Sequence, residues 1–514
     1  MDIRVDTPAR DARGRMRVFS AFFFFVACLM VLGGCTGNAY REAGTPLRER
    51  LLVKGPVGDC SRLLRAIDQE VERQGLRDPD AFRLPGYPYL AVDRFAAAWA
   101  AETGRWGEGA VQEWLAYARE LGDEGRSVEL RNIGDALDLA ALRAASGRAL
   151  PDNIAVQREL AECGDMLASA DLARDASLDQ IRLSARVPDS YRTVHRVIGL
   201  YPLGSLPFAY GVRALHRATL DTFGQRLGQL RVRGELRRYI PGPSQGFGSV
   251  RGAGPREKVE ALLARYAPVW EVDTVGDEDA IGGIVWAGNR VTTDPREPVV
   301  YQYLTRAWWN GRPVLQLNYV AWFGARPKSG VFDLLGGHLD GITWRITLNS
   351  SGEPIAGDAI HNCGCYHMVF PGSGLTLRER SDEWEEPMLV PAPLPQFQPG
   401  AERLVLRIAA GTHYLQRVYP TRSLGAGALY ARAPYDRLRS MHRSDGTRRG
   451  MFGADGIVAG TERGERWLFW PMGVANAGAM RSRGHHAIAF VGRRHFDDPY
   501  LIERHFVGRS TSRE

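Results

Sequence analysis

The chain has 514 residues, of which 44% are hydrophobic, so it is long enough to form two or three domains with sizeable cores. Its 66 basic residues exceed its 59 acidic residues by seven, and no stretch concentrates this charge. Because nucleic-acid-binding proteins collect their basic residues in a patch or stripe, we expect no nucleic-acid partner.

The N-terminus carries an apolar run over residues 18–32, which follows several arginines and ends at Gly33. The run is shorter than the roughly 20 apolar residues that a membrane-spanning helix needs. A basic start followed by a short apolar run is typical of a signal peptide, which we predict over residues 1–34. Acidic residues precede Met16, and we therefore expect translation to begin there.

The run ends in LGGC at residues 32–35, which resembles the lipobox of bacterial lipoproteins. The resemblance covers the first 35 residues and implies cleavage before Cys35, which would then carry three acyl chains. Buried acyl chains contribute about 0.8 kcal/mol per CH₂, so such an anchor is effectively permanent. Thr36, rather than aspartate, in the next position implies the periplasmic face of the outer membrane. Residues 35–56 would then form a lipidated tether.

Export to an oxidising compartment makes the remaining cysteines candidates for disulfides. Cys60 shares a predicted helical face with several leucines, and Cys163 lies on a similar face of a later helix that opens at Pro151. We predict a disulfide between Cys60 and Cys163, and the alternative is two separate buried thiols.

Helical spacing in the first half of the chain and strand-like alternation in the second half together predict an α+β fold. Helical spacing over residues 57–240 predicts an N-terminal all-α domain, and a Gly/Pro/Ser-rich linker follows at 241–255. Residues 256–514 predict a β-rich α+β domain that begins with a short helix at 256–266. Alternating or β-branched runs predict strands at 313–323, 342–348, 354–360, 403–410, 466–470 and 486–492, the second and third forming a hairpin.

Residues 197–212 are uncharged and contain Pro202 and Pro207. The prolines argue against one continuous helix. We expect a buried connecting loop, and the alternative is a segment that touches the membrane.

The stretch HNCGCYH places His361, Cys363, Cys365 and His367 at every second position. In a flat strand the two histidines would stand about 20 Å apart, too far for one ion. A turn that reverses at Gly364 would permit a single metal site, and thiolates with imidazoles favour Zn or Cu(I).

Two other interpretations of this stretch stay open. Cys363 and Cys365 are close enough to form a labile, redox-active disulfide. Alternatively, the cysteines are buried core residues and the histidines are hydrogen-bonded at a rim.

Other candidates are more scattered along the β-rich half. His413, His486 and His495 could complete an open metal site with part of the 361–367 stretch, and His495 with Asp497 could form a base and its orienting carboxylate or a surface ion pair. Several tryptophans are compatible with a carbohydrate groove or with core packing.

Three functions are compatible with these patterns. The first is a lipid-anchored envelope protein that binds or scaffolds a protein or polysaccharide partner and has a structural Cys/His metal site. The second is a metal-dependent envelope hydrolase, although the hydrolase motifs H-E-x-x-H and S-x-x-K are absent from the sequence. The third is a periplasmic thiol-redox or copper-handling protein.

Overall fold

The computed structural model describes residues 45–102, 109–246, 254–378 and 385–508. The predicted signal peptide, Met16 and Cys35 lie outside these ranges. The described helices, in chain order, are α1 Thr45–Leu52, α2 Pro56–Gln74, α3 Arg94–Ala101, α4 Ala110–Ile133, α5 Leu139–Ser146, α6 Asn153–Leu172, α7 Asp175–Ser184, α8 Thr193–Ile198, α9 Tyr201–Gly224, α10 Arg256–Tyr266, α11 Arg466–Phe469 and α12 Leu501–His505.

Strands dominate the C-terminal half, as the sequence pattern predicts. The described strands are β1 Phe82–Leu84, β2 Tyr87–Val92, β3 Glu235–Ser244, β4 Val269–Thr274, β5 Gly283–Ala287, β6 Arg290–Asp294, β7 Val299–Trp309, β8 Arg312–Arg326, β9 Gly337–Leu348, β10 Pro354–His361, β11 Met368–Pro371, β12 Leu375–Leu377, β13 Arg403–Ile408, β14 Leu415–Thr421, β15 Ala428–Pro434, β16 Met441–His442, β17 Arg448–Arg449 and β18 Phe506–Gly508. The protein therefore has an α+β fold, which confirms the predicted class.

The centre of the molecule is a ten-stranded mixed sheet in the order β11-β10-β9-β8-β7-β15-β3-β4-β13-β14. The neighbours from β11 to β7 are all antiparallel. The predicted β9–β10 hairpin is present with its five-residue loop, because Leu348 pairs with Pro354.

The two faces of the sheet differ in chemistry because side chains alternate along each strand. Trp344 and Ala359 point to one face, where a large apolar core packs against α10. Arg345 and Asp358 point to the opposite face, where their side chains form a fully buried ion pair.

A disulfide links helices α2 and α6 of the helical part. In α2, Cys60 lies among buried leucines at three- and four-residue spacing, and Gly75 ends the helix in the left-handed conformation. Asp152 caps the start of α6 by accepting a hydrogen bond from the backbone N–H of Ala155 at 2.7 Å. Cys163 of α6 bonds to Cys60, which confirms the predicted pairing.

The expected all-α character of residues 57–240 is wrong in two places, because β3 begins at Glu235 and a hairpin lies earlier in the segment. The hairpin β1–β2 lies inside this segment, and every residue of β2 is buried. A strand buried on both faces shows no two-residue alternation, and so the sequence pattern did not indicate it.

Two predicted strands are also wrong. Residues 466–470 form the short helix α11 and the start of a tight turn, and residues 486–492 form irregular chain with an isolated bridge between Ala487 and His495. Short aromatic runs do not distinguish strands from other buried segments by periodicity alone.

Residues 197–212 do not form the buried loop that we predicted. It belongs to α8 and α9, which are separated by a turn, and Pro207 lies inside α9. Many of its apolar side chains are exposed to solvent. Among the described residues, no helix is long and apolar enough to cross a membrane.

Candidate functional site

The stretch 361–367 forms a tight reversal between β10 and β11. The backbone N–H of Gly364 donates to the carbonyl of His361 at 2.7 Å, and the N–H of His361 donates to the carbonyl of Cys365 at 3.0 Å. Gly364 has a φ of +92°, and a Cβ added there would lie 2.6 Å from the carbonyl oxygen of Ala487. Both the conformation and the space require glycine, so the reversal predicted at this glycine is present.

The reversal brings the two cysteine side chains together. Cys363 is buried, Cys365 is half-buried, and both are free thiols. The backbone N–H of Cys365 donates to the Cys363 sulfur at 3.4 Å. A hydrogen bond from the Cys365 thiol lowers the pKa of Cys363, while the same bond and burial raise the pKa of Cys365. The pair therefore loses a first proton readily and holds its second proton tightly.

Two arginines add positive charge around this dithiol. The Arg463 guanidinium contributes to the lowered pKa of Cys363. Arg481 donates from Nε to the carbonyl oxygen of Cys363 at 3.2 Å. Cationic neighbours favour the thiolate, which is the reactive form of cysteine.

The two histidines of the stretch are held apart from each other. His361 lies on the face of the large apolar core, where its Nδ1 is 3.6 Å from an oxygen of Asp340. His367 pairs with Asp358 on the opposite face, with 3.1 Å between its Nε2 and a carboxylate oxygen. Burial lowers the pKa of each histidine, and its aspartate only partly opposes this.

This separation bears directly on the proposed metal ligands. The structure brings Cys363 and Cys365 together but places His361 and His367 on different faces, so the four side chains do not share a centre. Within the described ranges, no group of three or more His, Cys, Asp and Glu residues is arranged to hold a metal ion. The residues present do not fit the four-ligand Zn or Cu site considered from the sequence.

His413 belongs to a buried charge cluster that the sequence pattern does not reveal. Its Nδ1 lies 2.9 Å from Asp340 and its Nε2 lies 3.1 Å from Asp279, and its ring stacks on Phe323 at 4.0 Å. All three charged residues are almost completely buried. Burial disfavours the imidazolium, but the hydrogen bonds to the two carboxylates outweigh it and raise the pKa of His413.

This arrangement decides what His413 can do. Both ring nitrogens donate to carboxylates when the ring is protonated, so neither keeps a lone pair for a metal ion or a substrate proton. His413 therefore does not complete an open catalytic metal site with residues 361–367.

The remaining histidine candidates have separate partners. The Nε2 of His486 lies 3.2 Å from the carbonyl oxygen of Asn362, and burial lowers its pKa to about 3. His495 pairs with Asp189 at 3.2 Å, whereas Asp497 pairs with Arg94 at 3.0 Å. The suggested base-and-carboxylate pair of His495 with Asp497 is therefore not formed.

The tryptophans mostly belong to the core. Trp322 and Trp344 are fully buried, and Trp308 packs between the sheet and the helical part. Trp467 is the exception, with 72% of its surface exposed. The described tryptophans therefore do not form one continuous carbohydrate groove.

A cleft of about 950 Å³ lies between the helical part and the C-terminal chain. Its walls are α3, α7 and residues 495–504. Two of its arginines have carboxylate partners, since Arg182 lies 3.6 Å from Asp179 and Arg504 lies 2.5 Å from Asp498. The cleft is thus a concave surface with both acidic and basic side chains in its walls.

Comparison with known proteins assigns neither a family nor a function to this chain. No protein-family model, no curated protein and no solved structure matches this chain.

Proposed function

We propose that this chain is a lipoprotein of the bacterial cell envelope that carries out thiol–disulfide exchange at Cys363 and Cys365. Its anchor is the acylated Cys35, which holds the folded part at the periplasmic face of the outer membrane. The observation that carries the redox function is the pair of free thiols at one reversal, with Cys365 half-buried rather than buried and cationic side chains nearby.

The geometry favours exchange over metal binding because, among the described residues, no third ligand is arranged beside the two cysteines. A partner disulfide would react in two steps. The thiolate of the pair attacks one partner sulfur, which forms a mixed disulfide and releases the other partner sulfur as a thiolate. The second thiol of the pair then loses its proton and displaces the first partner sulfur. The Cys363–Cys365 pair becomes oxidised, and the partner gains two electrons.

The disulfide between Cys60 and Cys163 supports the choice of compartment. Stable disulfides are typical of secreted and periplasmic proteins and are rare in the cytosol. The lipobox resemblance at residues 32–35 points to the same compartment. Fatty-acid labelling of the protein in cells, compared with Cys35→Ala, tests the anchor independently of the redox site.

The redox test starts from protein isolated from membranes under an acid quench. Alkylation with a reagent of known mass should count two thiols in dithiothreitol and none in glutathione disulfide. The Cys60–Cys163 bond should stay closed in both, which provides an internal control. In glutathione disulfide, the Cys365→Ser variant should retain a mixed disulfide on Cys363, whose thiolate attacks, because the resolving sulfur is missing.

Two results would refute the redox proposal. The first is that Cys363 and Cys365 remain reduced at every ratio of dithiothreitol to glutathione disulfide. The second is one equivalent of Zn or Cu in protein purified without chelator that is lost in Cys363→Ser/Cys365→Ser. The second result would instead support a metal-binding or copper-handling role.

A binding or scaffolding role is the second candidate, and the cleft between α3, α7 and residues 495–504 is the observation that favours it. Its size is within the range of ligand sites, and its mixed walls suit an envelope protein segment or a polysaccharide. Ala98→Trp would place a large side chain in the cleft and should weaken capture of such a partner, while the redox behaviour of Cys363 stays unchanged.

A further inference from the structure

One surface of the protein exposes far more apolar area than its surroundings. Four neighbouring segments form it: α8, the first half of α9, α11 and the loop 327–336. We call this surface the apolar face. Its most prominent side chains are those of Val331, Phe332, Trp467, Leu468, Leu203 and Leu206, all more than half exposed.

Direct contacts join these segments into one surface. Phe208 of α9 packs against Phe469 of α11, with 5.1 Å between ring centroids. Gly199, between α8 and α9, lies so close to Pro471 that an added Cβ would be 2.5 Å from the proline Cβ. The backbone N–H of Glu465, next to α11, donates to the carbonyl of Leu334 at 3.1 Å, which attaches the loop.

The loop 327–336 is ordered with its apolar tip directed outward. Asp333 accepts hydrogen bonds from the backbone N–H groups of Ser329, Leu335 and Gly336. Val331 and Phe332 are nevertheless each 93% exposed. A turn fixed in this way cannot fold its apolar tip back onto the protein without losing those bonds.

The exposed side of α9 changes character along its length. Leu203, Leu206, Tyr210, Arg213 and Arg217 are all exposed and follow one another at three- or four-residue spacing. They therefore form one stripe along the helix, apolar in its first half and cationic in its second.

Charge on the helical part of the apolar face, α8 and α9, has one dominant sign. Residues 191–234 contain seven arginines, whereas Asp221 is their one acidic residue. Trp467 and Tyr210 are of the residue types that collect where a membrane meets water. Apolar side chains beside arginines match a bilayer with anionic headgroups, whereas a protein partner would need a complementary acidic surface.

We propose that the apolar face docks on the surface of an anionic phospholipid bilayer. Phe332, Trp467 and the first half of α9 enter the headgroup region, and Arg213 and Arg217 contact lipid phosphates. The identity of that membrane rests on the proposed acylation of Cys35, but the chemistry of the face does not. Nine residues separate Cys35 from α1, and this length of chain reaches at most about 35 Å, which keeps the folded part near the bilayer.

The test uses residues 36–514, which omit the anchor and retain every described contact. Co-sedimentation with vesicles of phosphatidylethanolamine and phosphatidylglycerol at 3:1 should show binding that weakens in 0.5 M NaCl. Phe332→Asp/Trp467→Asp should weaken binding at least tenfold. Arg213→Gln/Arg217→Gln should reduce it to the level seen with phosphatidylcholine vesicles.

The matched control is Ile154→Asp/Val275→Asp, which changes two side chains that are 75% and 60% exposed and lie outside the apolar face. It should bind vesicles as the parent chain does. All six substituted positions are exposed, so circular dichroism should confirm that each variant folds.

Three results would overturn the proposal. They are no binding to anionic vesicles, equal loss in the control and the apolar-face variants, or a dimer in sedimentation velocity that Phe332→Asp/Trp467→Asp dissociates. The third result would assign the face to a second copy of the chain. Absence of fatty-acid labelling in cells would refute the anchor alone, because vesicle binding of residues 36–514 does not involve Cys35.

Discussion

His413→Asn should destabilise the protein and change how its stability depends on pH. The substitution removes a buried cation that Asp279 and Asp340 share. Asp340 keeps Arg463 at 3.2 Å, whereas Asp279 stays desolvated without its cation. Removing one member of a buried ionic group costs about 3–5 kcal/mol. His413 has a positive φ of 53°, and asparagine tolerates that conformation better than most residues, so backbone strain does not contribute to the loss.

The pH dependence follows from the raised pKa of His413. Its stabilising contribution is fully present below the unfolded pKa of about 6.5 and is lost as the pH rises through the higher folded value. The difference in free energy of unfolding between the parent protein and His413→Asn should therefore be largest near pH 6 and smaller at pH 9.5.

Urea unfolding followed by tryptophan fluorescence measures this difference, because Trp322 and Trp344 report on the sheet. His442→Asn, at an exposed position, is the control and should change stability little at either pH. An equal loss at pH 6 and pH 9.5 would show that His413 is not an imidazolium in the folded protein. A loss below about 1 kcal/mol would show that its carboxylates are not desolvated as described.

Three further predictions concern stability. Cys60→Ala/Cys163→Ala should lower the free energy of unfolding by up to about 4–5 kcal/mol, since the bond closes a loop with a sequence separation of 103; a loss that remains when both proteins are refolded from urea with dithiothreitol, which reduces the bond in the unfolded chain, would contradict this origin. Asp358→Asn should cost about 3–5 kcal/mol in urea unfolding by leaving the Arg345 charge buried without its partner, and a near-neutral effect would show that water reaches the site. Burial raises the pKa of Glu465 to about 7, so Glu465→Gln should gain about 3 kcal/mol at pH 8 and nothing below pH 4.5; a gain independent of pH would refute this reasoning.

Local patterns predicted those parts of the fold that depend on near neighbours. The β9–β10 hairpin, the cap at Asp152 and the helix at 256–266 each follow from residues close in sequence. The Cys60–Cys163 bond also followed, because each cysteine occupies the apolar face of its own helix.

The candidate site was only partly predictable for a related reason. The reversal at Gly364 is a local property and was visible in the sequence. The partners of His413 are not local, since Asp340 and Asp279 lie 73 and 134 positions away. No spacing rule relates such residues, because only the register of the sheet brings them together.

The residues around Pro241 show how a correct local observation can lead to a wrong prediction of secondary structure. Proline and glycine there predict a linker, yet residues 235–244 form β3. The strand pairs with β4 only as far as Tyr239, and beyond that point its neighbour is β15 alone. The missing N–H of proline is therefore tolerated, because that edge of β3 needs no hydrogen-bond donor. Gly242 is required, since an added Cβ would lie 2.8 Å from the carbonyl oxygen of Tyr430.

The position of β3 has a consequence for biogenesis. This strand bridges the six strands on one side of the sheet to the three on the other, and its partner β15 ends at Pro434. The chain is synthesised from its N-terminus. The pairing of β3 with β15 therefore cannot form until more than four-fifths of the polypeptide has been made. Incomplete chains would expose the unpaired edges of these strands for that whole interval, and such edges can pair with other chains.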